Sequence, residues 1–180
     1  APDSQKASFW SGLKGTTNES FRFIGTACTD TIEGMKDKDH WTKTVEVLES
    51  INVKGERMHA LFESIAIVLQ LGNLSFMKDP KDDDRAAVRD KKEFGALAEL
   101  MGVTENDLIG CLTERTMKTR NESYKVPLNA DAAQEAADSF AKEIYSKAFL
   151  WLVRCINDAT CAEYNYKDGS QSDFGIIGLL

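Results

Sequence analysis

Apolar residues recur three and four positions apart from Asn129 to about Cys161, and no glycine or proline interrupts the run. This spacing lines up one face of an α-helix. Asn129 is a suitable N-cap, and Asp131 places negative charge in the first turn, where the helix dipole favours it. The pattern predicts one helix of roughly 30 residues, about 45 Å long at 1.5 Å per residue. Such a helix is a spine on which other elements pack.

Four shorter helical patterns precede the long helix. They cover about residues 40–51, 56–71, 94–101 and 104–112. Asp39 can cap the first, and Gly72 and Gly102 follow the second and third in the position where a left-handed residue ends a helix. Thr104 and Asp107 have the spacing of a capping box at the start of the fourth.

Between the helices, the sequence predicts short strands and loops. Residues 74–76 are expected to form a short strand. Residues 79–92 combine a proline and dense mixed charge without periodicity, which is typical of a surface loop. Residues 115–128 predict a β-hairpin in which Met117 faces Tyr124 across a polar tip.

The last apolar run, residues 174–180, follows a polar loop and predicts a buried central strand. A buried strand needs partners on both sides, and this sequence offers few candidates. The chain also lacks an initiator methionine. We therefore expect it to be a piece of a larger protein.

Together these patterns predict a mainly α fold with a few short β-strands and a hairpin, in which shorter helices pack on one long central helix at about residues 129–161. Residues 1–20 are expected to form an irregular N-terminal segment with room for one short helical turn, and residues 21–180 a single helical domain. A chain of 180 residues is long enough for one domain with a sizeable core.

Composition excludes several classes of function. The chain is 42% hydrophobic and 28% charged, and its net charge of −7 argues against general nucleic-acid binding. No apolar run reaches the roughly 18 to 20 residues that a membrane span needs, and the N-terminus lacks a secretory-signal pattern. The four cysteines form no CxxC pair, so reduced thiols are expected rather than disulfides or a zinc site.

The sequence contains none of the common catalytic motifs: no GxxxxGK[ST], no GxGxxG, no HExxH and no GxSxG. Its two histidines are His40 and His59. Either could serve a nucleophile such as Ser64 or Cys111, but ordinary surface or core-edge histidines explain them better. No catalytic or cofactor-binding residue is therefore predicted.

A group of aspartates in the predicted surface loop invites a calcium hypothesis. The residues are Asp79, Asp82, Asp83 and Asp84. Their spacing misses the EF-hand pattern, which has a glycine at loop position 6 and a glutamate at position 12. A solvated loop is the better interpretation, and no metal ligand is predicted.

The predicted hairpin carries the most unusual local charge. Between residues 115 and 125 there are four cations and one anion, Glu122, which gives +3 within an acidic chain. The cations are Arg115, Lys118, Arg120 and Lys125. A solvated loop that happens to be basic accounts for this charge. The functional alternative is a contact for an acidic protein surface, through steering and ion pairs at the rim.

Three segments carry longer motifs. Residues 65–76, IAIVLQLGNLSF, fit A-x-x-L-H-L-G-N-x-x-F with Gln70 in place of the histidine. Residues 138–157, DSFAKEIYSKAFLWLVRCIN, fit R-D-A-L-A-K-x-x-Y-x-x-L-F-x-W-L-V-x-x-I-N with Ala137 where arginine is common. Residues 174–180, FGIIGLL, fit an I-G-x-L strand that leads into D-I-x-G-F-E. In this order and spacing they resemble the myosin motor domain over roughly residues 20–180.

This resemblance implies that the chain is most of the upper 50-kDa subdomain of a myosin head, starting after switch I and ending one residue before switch II. The nucleotide-binding P-loop and both switches would lie outside it. The resemblance thus implies ATP and magnesium as cofactors of a parent motor, and neither cofactor nor ATPase activity for the fragment. A parent motor would be cytoplasmic and associated with the cytoskeleton.

The resemblance also implies two partners, F-actin and the rest of the myosin head. Residues 115–128 would be the family's cardiomyopathy loop and residues 78–92 its loop 4, both of which contact actin in that family. The acidic surface of actin agrees with the +3 hairpin and less well with residues 78–92, where six cations against five aspartates leave +1. The implied actin-binding residues are Arg115, Lys118, Arg120, Lys125, Lys81 and Arg85.

Two other functions stay open at this point. A free-standing helical adaptor would dock another acidic protein through the same basic hairpin. An unrecognised hydrolase would use His59. In addition, a strand at residues 174–180 that lacks its partners would be exposed. Such an edge predicts self-association or strand swapping.

Overall fold

A computed structural model describes residues 1–24, 31–32, 34–119 and 122–160. Within these residues the fold is mainly α with a few short strands, as the sequence predicts. The helices are α1 (Asp3–Phe9), α2 (Asp37–Ser50), α3 (Glu56–Asn73), α4 (Lys91–Met101), α5 (Glu105–Thr113) and α6 (Ala130–Thr160). The strands form three antiparallel pairs, namely β1 (Thr31–Ile32) with β2 (Met35–Lys36), β3 (Phe76–Asp79) with β4 (Asp82–Val88), and β5 (Glu114–Lys118) with β6 (Ser123–Pro127).

The predicted long helix is confirmed as α6, which runs without a break over 31 residues. Asn129 caps it: the amide of Ala132 donates a hydrogen bond to Asn129 Oδ1 at 2.9 Å. Asp131 lies in the first turn, at the positive end of the helix dipole. A helix about 46 Å long can reach more than one part of the core.

Two clusters of buried side chains share this helix. The first joins its N-terminal half to α3, β3, α4 and α5, and its buried α6 members are Ala133, Ala137 and Ala141. These small side chains allow the neighbouring elements to pack closely. The second cluster lies in the C-terminal half, where Cys155 packs with Leu48, Val53 and Leu61 of the α2–α3 region. α6 is therefore the spine of the described fold.

The N-terminal segment is more regular than predicted. α1 spans seven residues, about two helical turns, and 3₁₀ turns follow at Ser11–Leu13 and Asn18–Ser20. Leu13 and Phe21 are buried with Ala66 of α3 in a third cluster. Contacts between residues distant in sequence hold this segment, and its local pattern does not reveal them.

The start of α2 also differs from the prediction. The helix begins at Asp37, and Lys36 occupies the N-cap position without a side-chain cap. Asp39 therefore lies inside the helix rather than capping it. The reason is that β2 ends at Lys36 and continues directly into the helix, so the strand pair determines where the helix starts.

Gly72 does not end α3, as the prediction had it, because the helix continues to Asn73 and Gly72 is not left-handed. The glycine serves another purpose. A Cβ at this position would lie 2.6 Å from the ring of Phe23. The missing side chain lets the N-terminal segment approach the helix closely.

The surface loop predicted at residues 79–92 is in fact mostly a hairpin. β4 pairs with β3, and the turn between the strands contains Pro80 and Lys81. The first part of β4 is exposed on both faces and only its last three residues are partly buried, which explains the missing alternation. The end of the predicted loop belongs to α4, which Asp90 caps by accepting from the amides of Lys92 and Glu93.

Two other helix signals are confirmed. Gly102 follows α4 in the left-handed conformation, with φ of 66°. Thr104 caps α5, and its Oγ1 accepts a hydrogen bond from the amide of Asp107 at 3.1 Å. Both signals act within one helical turn, so the sequence alone can reveal them.

Some expectations fall outside the described residues. These are the strand at residues 174–180, Cys28, Cys161 and Arg120. Of the described cysteines, Cys111 is exposed and Cys155 is buried, and both are free thiols. Among the described helices, none has both the length and the apolar character needed to cross a membrane.

Candidate interaction surface

Five of the six predicted contact residues lie in the described part of the chain, on two hairpins. Arg115 and Lys118 are on β5, Lys125 is on β6, Lys81 is in the β3–β4 turn and Arg85 is on β4. All five side chains are exposed. The sixth residue, Arg120, lies outside the described residues.

The β5–β6 hairpin has two chemically different faces. Its pairing confirms that Met117 lies opposite Tyr124. Side chains alternate along a strand, and directly opposed residues share a face. We call one face the lysine face, which carries Glu114, Thr116, Lys118, Ser123, Lys125 and Pro127. The other, the tyrosine face, carries Arg115, Met117, Tyr124 and Val126.

The tyrosine face exposes apolar surface next to a cation. Met117 is 40% exposed and Tyr124 is 46% exposed. Neither residue is among the contact residues predicted from the sequence. Their alternation with the charged positions could have indicated that they share an exposed face with Arg115. Arg115 therefore lies beside apolar side chains on the tyrosine face, while Lys118 and Lys125 lie among mostly polar side chains on the lysine face.

An ion pair inside the hairpin reduces the charge of the lysine face. Lys125 Nζ lies 3.0 Å from Glu114 Oε2. The net charge of +3 was counted over residues 115–125, which leave out Glu114. Residues 114–125 carry four cations and two anions, a net charge of +2. Among the described residues, Lys118 has no ion-pair partner. Lys118 is thus the cation of this face that is most available to a partner.

The β3–β4 hairpin is largely neutralised by its own aspartates. Arg85 Nε lies 3.5 Å from Asp82 Oδ2. The amide of Lys81 donates to Asp79 Oδ1 at 2.8 Å, and the amide of Asp84 donates to Asp82 Oδ1 at 3.1 Å. The aspartates therefore shape the turn and offset its cations. The hairpin itself, residues 76–88, has three cations and four aspartates, a net charge of −1, and the +1 of residues 78–92 includes the start of α4.

Backbone hydrogen bonds join the bases of the two hairpins. The amide of Ala86 on β4 donates to Leu128 O at 2.7 Å, and the amide of Leu128 donates to Thr113 O at 2.8 Å. Leu128 directly follows β6 and precedes Asn129, the cap of α6. Both hairpins thus emerge near the N-terminal end of the spine helix.

The arrangement around His59 does not resemble a hydrolase site. His59 is exposed, its Nε2 lies 2.9 Å from Ser8 O, and its Nδ1 lies 3.8 Å from Glu63 Oε2. The Ser64 hydroxyl donates to Ala60 O at 2.7 Å, within its own helix. In the described residues, no hydrogen bond joins His59 to Ser64 or to Cys111.

The aspartates of the β3–β4 hairpin were the candidate calcium ligands. Within the described part of the chain, no group of three or more histidine, cysteine, aspartate or glutamate side chains is arranged to hold a metal ion. The contacts of Asp79 and Asp82 with nearby amides give these side chains a structural role in the turn.

The fold and this surface define a helical domain that presents two exposed hairpins. Residues 3–180 match the family described as myosin head (motor domain). The chain belongs to this family.

Individual relatives agree with this assignment. The chain is 30% identical over 169 residues to unconventional myosin-Ic of Danio rerio, a match that covers 94% of the chain and 16% of that protein. It is 30% identical over 163 residues to myosin-52 of Schizosaccharomyces pombe, covering 91% and 10%. It is 32% identical over 167 residues to myosin-1 of Arabidopsis thaliana, covering 93% and 14%. The chain thus spans between a tenth and a sixth of the length of these relatives.

Proposed function

We propose that this chain supplies part of the actin-binding surface of a myosin motor through the β5–β6 hairpin. The observation that carries the proposal is the cluster of exposed cations on this hairpin in a chain whose net charge is −7. Actin is acidic, and membership of the myosin head family makes it the partner to test first. Lys118 and Arg115 contribute most, since neither has an ion-pair partner among the described residues.

The exposed cations do not contribute equally in this proposal. Exposed charges act over about 8 Å at physiological ionic strength. The lysine face therefore mainly speeds the encounter with an acidic surface. Lys125 contributes less because Glu114 already pairs with it. Arg85 contributes little for the same reason, since Asp82 pairs with it, and Lys81 is the better candidate on its hairpin.

Other parts of the proposal concern a longer motor chain. Hydrolysis of ATP with magnesium would take place outside these 180 residues, which contain no GxxxxGK[ST] motif. The rest of the myosin head would then be a second partner, and the motor would act on cytoskeletal filaments in the cytoplasm. Self-association through residues 174–180 stays a prediction, since these residues lie outside the described part of the chain.

Charge-neutral variants test the role of the hairpin. In co-sedimentation of F-actin with a myosin head that contains this chain, we expect Lys118→Gln to weaken binding about two- to fivefold at low salt, the effect of one exposed charge. We expect Glu114→Gln to strengthen binding, because it frees Lys125 from its partner. Both effects should shrink as salt rises.

Lys54→Gln is the matched control, because Lys54 is exposed and lies between α2 and α3, away from both hairpins. It should leave binding unchanged. If Lys118→Gln and Glu114→Gln also bind F-actin like the wild type at low salt, the proposed contact is wrong. The same result would favour the adaptor alternative, in which the hairpin docks a different acidic protein.

A further inference from the structure

A pocket distinct from the hairpins lies between the N-terminal segment and helices α2 and α3. Its volume is about 660 Å³, within the range of about 300 to 1,000 Å³ that is usual for small-molecule sites. Three helices contribute an aromatic ring to its wall: Phe9 from α1, Trp41 from α2 and Phe62 from α3.

The three rings pack against one another in this wall. Phe62 lies 4.8 Å from Phe9 and 4.8 Å from Trp41, between ring centroids, with interplanar angles of 37° and 48°. Phe9 and Trp41 are 6.1 Å apart at 63°. Tilted and edge-to-face arrangements are the favourable ones for aromatic pairs. The wall continues with Phe21 and aliphatic side chains, and Thr16, Thr17 and Asn18 add polar groups at one side.

The one charged side chain in the wall of the pocket is already paired. Among the lining residues, all of which the structure describes, Lys6 has the only charged side chain. Its Nζ lies 2.7 Å from Asp3 Oδ1 and donates to Thr16 O at 2.8 Å. The hydrogen bond and charge of Lys6 lower the pKa of Asp3, so the partner stays ionised. An anionic ligand would have to compete with a carboxylate that is already in place.

We propose that this pocket is a binding site for a neutral, planar aromatic molecule of two or three rings. The volume sets the size of the ligand, the aromatic wall sets its shape, and the paired Lys6 sets its charge. The site is independent of the proposed actin contact, because none of its lining residues lies on either hairpin.

Two probes with the same ring system test the proposal. N-phenyl-1-naphthylamine is neutral, whereas 1-anilinonaphthalene-8-sulfonate adds a sulfonate to that skeleton. In fluorescence titrations of the 180-residue chain, we expect saturable binding of one neutral probe per chain and at least about fivefold weaker binding of the sulfonate. Binding that does not saturate, or that favours the sulfonate, would overturn the proposal.

Matched leucine variants locate the site. Phe9→Leu removes one aromatic wall and should weaken the neutral probe roughly tenfold. Phe149→Leu makes the same change on α6, outside the pocket, at a phenylalanine that is 52% exposed. It should leave binding unchanged, and circular dichroism checks that both variants are folded. A loss confined to Phe149→Leu would place the probe on α6 and contradict the proposal.

The fluorescence of Trp41 reports binding directly, without removal of an aromatic residue from the pocket. Replacing Trp10 and Trp151 by phenylalanine leaves Trp41 as the sole tryptophan of the three in the chain. Bound probe should then quench Trp41 emission with the same midpoint as the titration. Unchanged emission would refute the site. Binding that disappears when the chain is part of a complete myosin head would show that another segment of the motor fills the pocket, and it would refute the ligand-binding role.

Discussion

Arg22 and its neighbours show how single residues join distant parts of the chain. Its Nε donates to Gly72 O at 2.6 Å, and its guanidinium pairs with Asp138 of α6. The same guanidinium lies over the ring of Phe23, 4.7 Å from the centroid. This ring occupies the space left by the missing side chain of Gly72. One arginine therefore holds the N-terminal segment against both α3 and α6.

Alanine substitutions at two helical glycines test this close approach. An interior Gly→Ala change normally stabilises a helix by about 0.5 to 1 kcal/mol. We expect that gain for Gly95→Ala, where the nearest atom, Glu105 Oε2, is 3.7 Å from the new Cβ. Gly72→Ala should lose it, because the new Cβ would lie 2.6 Å from the Phe23 ring. Urea unfolding measures both free energies.

The same two substitutions in a chain that lacks the Phe23 ring show whether a steric clash causes the lost stabilisation at Gly72. In a chain that already carries Phe23→Ala, the ring is gone and Gly72→Ala should give the same gain as Gly95→Ala. Equal stabilisation at the two glycines in the wild-type background would show that the Phe23 contact does not restrict this position.

Gln70 is a second residue whose role depends on a distant partner. It is buried, at 3% exposure, and its Nε2 donates to Glu93 Oε2 in the first turn of α4. The resemblance to the myosin motor domain has histidine at this position. An amide makes the link between α3 and α4 without a group that titrates near neutral pH.

The spine helix α6 has a side-chain cap in its first turn. The cap by Asn129 satisfies an amide that has no partner within the helix. Asn129 lies two residues after the end of β6 at Pro127, so the cap stands between the hairpin and the spine helix.

We expect Asn129→Ala to lower the free energy of unfolding by about 1 kcal/mol, the usual contribution of an N-cap side chain. Asn106→Ala is the control, because Asn106 is an exposed residue inside α5. Its effect should stay within about 0.5 kcal/mol. Urea unfolding of both variants decides the point, and equal effects would mean that the Asn129 cap contributes nothing to stability.

For the molecule as a whole, the central feature is that one helix belongs to two core clusters. Leu97 is fully buried in the cluster around the N-terminal half of α6. Trp151 packs against the cluster around the C-terminal half. Because both clusters share a continuous helix, damage to the first should also reduce the stability of the second.

A cavity variant in the first cluster tests this coupling. Leu97→Ala should cost about 2 to 5 kcal/mol, as large-to-small core changes do. With Trp10 and Trp41 replaced by phenylalanine, Trp151 fluorescence reports the second cluster and circular dichroism the whole chain. Both signals should shift to the same lower urea concentration.

Leu150→Ala is the matched control, since Leu150 is half exposed on α6. It should change the midpoint much less than Leu97→Ala. If Leu97→Ala leaves the Trp151 transition at its wild-type midpoint, the two clusters unfold independently and α6 does not couple them.

The candidate surface was only partly predictable from the sequence. The hairpin, its cations and the pairing of Met117 with Tyr124 follow from local alternation and charge. The ion pairs of Lys125 and Arg85 were missed, because the availability of a charge depends on which carboxylate lies near it. The aromatic pocket was missed entirely, since its rings come from three different helices and meet only when these helices pack together.

The sequence by itself determined the spine helix, its cap, the end of α4 at Gly102, the basic hairpin and the membership of the myosin head family. Each depends on residues within a few positions of one another or on a motif read in order. Only the tertiary structure decided the role of Gly72, the pairing of β3 with β4 and the packing of the N-terminal segment. The first and third depend on contacts such as Phe23 with Gly72, and the β3–β4 pair is held from outside by the hydrogen bond of Ala86 to Leu128. Their free energy comes from surfaces that meet only after the chain has folded.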